Sequence, residues 1–98
     1  MTEAADASGV LTRELPITNK RGLHARASAK FVQTVERFNA EVTVNRNGET
    51  VGGTSIMGLM MLAAGIGTTI KVTATGPQAR EVLDALTSLV TEKFGEED

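Results

Sequence analysis

From Thr69 to Thr75 the chain alternates without a break. Ile70, Val72 and Ala74 fall on one side, and Thr69, Lys71, Thr73 and Thr75 on the other. A period of two with one apolar and one polar face describes a strand with core on one side and water on the other. Two further segments read the same way. Leu11, Leu15 and Ile17 oppose Thr12 and Glu14, with Arg13 as the exception, and Val42 and Val44 point inward from Glu41–Asn45. Strands of this kind build a sheet covered by helices on one face only. At 98 residues, the chain has room for one domain with one modest core.

The helices are legible from spacing. Phe31, Val35 and Phe38 stand at i, i+4 and i+7 with Val32 beside them, which predicts a helix over 25–38. Asn47-Gly48 is a hairpin turn signal, and 49–52 then pairs back as a short strand. Ser55 is placed as the N-cap of a short helix over 56–64, ended by Gly65 and Gly67. After Gly76-Pro77, the residues Val82, Leu83, Leu86, Leu89 and Val90 form a long apolar stripe that Gly95 closes. The order is βαββαβα. It predicts an α+β fold, an open-faced β-sandwich with a four-stranded antiparallel sheet and three helices on one face. The expected core is Leu15, Ile17, Phe31, Val35, Phe38, Val42, Val44, Ile70, Val72, Val82, Leu86 and Leu89. The domain is expected over 10–94, with a flexible tail at 1–9 and an acidic, solvated tail at 95–98.

Composition removes several function classes. With no cysteine and one histidine there is neither a disulfide framework nor a thiolate or multi-histidine metal site. A net charge of −2, three phenylalanines and no Trp or Tyr argue against a nucleic-acid binder. No basic start is followed by an apolar run, and 56–66 is too short to cross a bilayer. A cytoplasmic chain with no membrane insertion is the expectation.

The body of the domain is mildly basic, and 15–35 holds Lys20, Arg21, Arg26 and Lys30 with no carboxylate. The single histidine, His24, lies in that stretch, just before the first helix. Ser, Thr, Asp or Asn is the usual residue at a helix start, yet none stands at 24–26. The first-turn N–H groups therefore lack a local acceptor and suit an anion such as phosphate. Arg26 adds a planar guanidinium matched to phosphate oxygens, and Gly22 frees the backbone to turn. A neutral imidazole here is a nucleophile able to take up and pass on a phosphoryl group. On spacing alone the same arrangement also fits a surface or capping histidine without a special role. A distant carboxylate could still fold against it.

The segment Asn19-Lys20-Arg21-Gly22-Leu23-His24-Ala25-Arg26-Ala27-Ser28-Ala29 resembles the active-site segment of the HPr family. These are the histidine phosphocarriers of the bacterial phosphoenolpyruvate-dependent phosphotransferase system. Ser55-Ile56-Met57-Gly58-Leu59-Met60 resembles the family's second signature, a regulatory-serine helix. The likeness runs from about Leu11 to Phe94, with both motifs in the family's order and separation. It implies that His24 is phosphorylated, in the family on Nδ1, by enzyme I charged from phosphoenolpyruvate. His24 would then hand the group to an EIIA-type domain, with Arg26 steadying it. Ser55 would serve an HPr kinase/phosphorylase where one exists. The chain departs from the family at Ala27, where a proline usually stands in the first helical turn.

The helix over 56–64 carries no charged or polar side chain. Some of Ile56, Met57, Met60 and Met61 should therefore be exposed and offer an adaptable apolar docking patch. The expected partners are enzyme I, EIIA-type domains and regulatory proteins. Together with Arg26, the residues Ile56, Met57 and Met60 are the candidate contacts. The reading is a monomeric transfer intermediate without cofactor or metal, not a turnover enzyme. The alternative is a regulatory binding module acting through the 56–64 face with His24 little used. A small hydrolase with His24 as base ranks behind both, since no nucleophile-elbow pattern is present.

Overall fold

A computed structural model describes residues 3–5 and 9–96. The elements are β1 (Glu3–Ala5), β2 (Leu11–Pro16), α1 (Ala25–Glu36), β3 (Glu41–Arg46), β4 (Glu49–Gly52), α2 (Ile56–Met61), β5 (Thr69–Thr75) and α3 (Ala79–Thr91). A short 3-10 turn, Lys93–Gly95, follows. The sheet is antiparallel throughout, in the order β1-β2-β5-β3-β4.

The alternating strand is the middle one. Ile70 pairs with Leu15, while Val72 pairs with Arg13 on one side and Val44 on the other. Ala74 sits likewise between Leu11 and Val42. These rows put every apolar side chain of the three central strands on the helix-covered face. α1 contributes Ala27, Phe31, Val32 and Val35 to the layer beneath it, and α3 contributes Ala79, Val82, Leu83, Leu86 and Val90. The expected core residues are buried except Phe38 and Leu89, which pack half-buried against its rim. Leu23, Leu59, Leu62 and Phe94 join the core as well. Asn47 and Gly48 both have positive φ, 52° and 83°, which is the twist a two-residue hairpin needs.

The structure departs from the sequence reading at three places. The sheet has five strands, not four, because Glu3–Ala5 pairs with Arg13–Leu11 at its edge. This strand lies within the segment expected to be a tail. Met1, Thr2 and Asp6–Ser8 lie outside the described residues, as do Glu97 and Asp98. Arg13, the exception in the first alternation, explains the addition. It faces the helix side, donates to Asp84 (3.0 Å) and Thr87 (2.8 Å) on α3, and pairs with Glu3 of the edge strand. Glu3 also pairs with Arg80 at 2.7 Å.

Secondly, α2 stops at Met61 rather than 64, because Ala63 takes a left-handed φ of 52° and the last N–H groups close tighter turns, Leu62 to Leu59 C=O and Ala63 to Met60 C=O. α1 likewise ends at Glu36, two residues early, where Phe38 N–H bonds Val35 C=O in a tighter turn. Thirdly, the acidic tail is not solvated throughout: Glu96 is half-buried and packs against the loop before α1.

Candidate functional site

The loop from Asn19 to His24 is pressed against the chain that leaves α2. Gly22 has φ +63°, and a Cβ built there would lie 2.4 Å from the Ala64 carbonyl oxygen. Only glycine permits this approach. Leu23, buried, fixes the loop from below. Asn19 fixes it from within: its side chain is fully buried, and Nδ2 donates to the Gly22 carbonyl at 2.9 Å.

His24 occupies the N-cap of α1 in extended conformation, and its carbonyl accepts from Ser28 N–H at 2.9 Å. No side chain caps the helix, so the first turn keeps its donors uncommitted to a side chain. The imidazole reaches the segment that follows α3 through one ring nitrogen. Its Nε2 lies 2.5 Å from Oε2 of Glu96, 72 positions on in sequence. Among the described residues, Nδ1 has no hydrogen-bond partner.

Glu96 also accepts from Asn19 Nδ2, at 3.2 Å to each oxygen. Burial alone would push the Glu96 carboxyl up. The hydrogen bonds from His24 and Asn19, with neighbouring positive charge including Arg21, outweigh that and hold it below the ordinary glutamate value.

Arg26 lies in the first turn of α1, exposed, with no side-chain hydrogen bond or ion pair to any described residue. Ser55 caps α2 as the sequence predicts, its Oγ accepting from Gly58 N–H at 3.0 Å, and it is exposed. The apolar patch is also present. Met57 and Met61 are 67% and 71% exposed, and Ile56 and Met60 lie at the patch's better-covered edge. Met60 and His24 share one open depression of about 290 Å³, lined also by Arg21, Leu23 and Ala63–Gly65. The patch and the imidazole are thus continuous, whereas Arg26 and Ser55 do not line that depression.

Two site residues escaped the sequence reading. The sequence reading gives Asn19 only as part of the HPr-like segment, with no role for its amide. Glu96 was read as tail. The available signal for Glu96 was Phe94, the one large apolar side chain after the α3 stripe. An isolated apolar residue in a polar terminus marks a place where the chain returns to the core. Ile66, 58% exposed, is a further exposed apolar residue to which the sequence reading gives no role. Among the described residues, no cluster of three or more His, Cys, Asp or Glu is placed to hold a metal ion, and no helix is long and apolar enough to span a membrane.

Comparison with known proteins places this geometry. Residues 11–92 match the family model for the PTS HPr component phosphorylation site. The chain is 51% identical over 87 residues to the phosphocarrier protein HPr of Cupriavidus necator, covering 89% of this chain and 98% of that one. The same identity and coverage hold for phosphocarrier protein HPr of Neisseria meningitidis. A crystal structure of HPr-C-His from Thermoanaerobacter tengcongensis superposes with a TM-score of 0.84 at 40% identity, covering 89% of this chain and 98% of that chain. With the helix arrangement, both signature segments and the matched span in agreement, the chain belongs to the HPr family of phosphocarrier proteins of the phosphotransferase system.

Proposed function

We propose that His24 is the residue that carries the phosphoryl group, taking it on Nδ1 from phosphorylated enzyme I and passing it to an EIIA-type domain. The observation that carries this reading is the position of His24 at an uncapped helix start, with Nδ1 unpartnered among the described residues. A phosphoryl group on Nδ1 brings negative oxygens to a helix end rich in N–H donors, where the helix dipole favours them. Arg26, exposed one turn-step away, supplies a guanidinium for the same oxygens. The chain then acts as a cytoplasmic, monomeric transfer intermediate without turnover of its own and without a cofactor. Partners dock on the patch of Ile56, Met57 and Met60 beside His24, with Arg26 as a further contact. Ser55, at the edge of that patch, is the regulatory site where a kinase for it exists.

Incubation with enzyme I and phosphoenolpyruvate, followed by intact mass at neutral and acid pH, tests the reading. Addition of one acid-labile phosphate is expected, and none in His24→Ala, since the chain holds no second histidine. Acid-labile phosphate on the alanine variant overturns it. The exposure of Met57 and Met61 favours a second reading, a regulatory binding module acting through α2. Partner binding with no phosphate uptake by the wild-type chain would select that one.

A further inference from the structure

We propose that Glu96 is a positioning residue for phosphoryl transfer: it holds the proton of His24 on Nε2 and leaves the lone pair on Nδ1. The inference rests on the reading of His24 as the phosphoryl carrier and adds what orients and protonates its ring. A neutral imidazole has one N–H and one lone pair, and the partner of one nitrogen decides which is which. A carboxylate only accepts. With Oε2 of Glu96 at 2.5 Å, Nε2 must be the donor and Nδ1 the nucleophile.

Glu96 is not a tail residue that strays into reach. Phe94, two residues earlier, is buried, and its carbonyl accepts from Lys30 Nζ on α1 at 2.6 Å. Lys93, Phe94 and Gly95 all have left-handed φ, 57°, 56° and 76°. Two consecutive non-glycine residues in that region are uncommon and persist where packing over-determines them. The turn reverses the chain at the end of α3 and delivers Glu96 to the loop before α1.

Asn19 completes the arrangement. Its amide sends Nδ2 to both the Gly22 carbonyl and the Glu96 carboxylate, while its buried Oδ1 has no partner among the described residues. Reversing that amide would set an acceptor against two acceptors, so the orientation follows from its neighbours. A buried amide that leaves its own oxygen unsatisfied to hold a carboxylate indicates that the carboxylate's position matters.

The Nδ1 lone pair forms the N–P bond while the bond between phosphorus and the donor's leaving atom breaks, its electron pair staying with the donor. The ring, still protonated on Nε2, becomes a phosphoimidazolium with one positive charge, opposite the negative charge of Glu96. No proton moves. In onward transfer the N–P electron pair returns to Nδ1.

The test is imidazole ¹⁵N NMR of the full, unphosphorylated chain at alkaline pH, with phosphoryl uptake from enzyme I measured in parallel. Glu96→Ala should raise the Nδ1–H population of His24 and slow uptake about three- to tenfold, the worth of one hydrogen bond. Glu96→Gln, which keeps an acceptor but not the charge, should fall between. An unchanged tautomer ratio, or unchanged uptake, in the alanine variant overturns the proposal. Failure of the wild-type chain to take up phosphate overturns the carrier reading instead, which sets the two failures apart.

Discussion

Arg26 and Gly22 carry the sharpest consequences of single side chains near His24. Arg26 has no competing partner among the described residues, so its guanidinium is available to incoming phosphate oxygens. Arg26→Ala should slow transfer roughly ten- to hundredfold, the worth of one charge-assisted hydrogen bond made in the transition state, with melting unchanged. Wild-type kinetics in stopped-flow transfer would remove it from the site. Gly22→Ala is the structural counterpart. It combines a left-handed φ with a Cβ driven into the Ala64 carbonyl. About 2 kcal/mol or more of destabilisation is expected, seen as a fall of roughly 10 °C in the thermal melt. At this scale the sequence was informative where chemistry is local. His24, Arg26 and Gly22 lie within five positions of one another, and their types and order carry the reading. Glu96 was not legible, because its contact depends on a turn at Lys93–Gly95 in a conformation those residues do not ordinarily choose.

Among the elements, α2 bears both the docking patch and the Ser55 cap, which couples them. Ser55→Asp keeps a strong N-cap oxygen for Gly58 N–H while adding a charge at the patch margin. Slower phosphorylation of His24 by enzyme I is expected, with melting temperature unchanged or raised. Equal rates would count against the patch as the docking face, and a sharp loss of stability against the exposure of Ser55. The periodic elements were legible. β5, α1 and α3 announce themselves through repeats of two or of three and four, because each buries one face in a continuous core. β1 was not. Glu3-Ala4-Ala5 has no alternation to read, and its place comes from the open edge of β2 and the pull of Arg13 and Arg80 on Glu3. The end of α2 was not legible either, since it lies at Ala63, an alanine in a left-handed conformation that its type does not announce.

Across the whole molecule, the C-terminal strap joins the end of the chain to the site, and acid should release it. The Glu96 carboxyl is held below its ordinary value of 4.5 by donors from His24 and Asn19 and by nearby positive charge. Its contribution to stability is therefore fully present above that value and lost as pH falls through a lower folded-state midpoint. Carboxyl ¹³C NMR of Glu96 should show that low midpoint in the wild-type chain, moved toward 4.5 in Asn19→Ala. An identical midpoint in both would show that Asn19 does not hold the carboxylate. The sheet order has a consequence of another kind. The central strand, β5, is the last to be synthesised, and both of its neighbours were made long before it. On the ribosome, β1 with β2 and β3 with β4 can each form a hairpin-sized fragment, but no strand pairing joins them until Thr75 has emerged. The growing chain must keep two apolar half-sheets apart from each other, and from other nascent chains, while residues 53–75 are added.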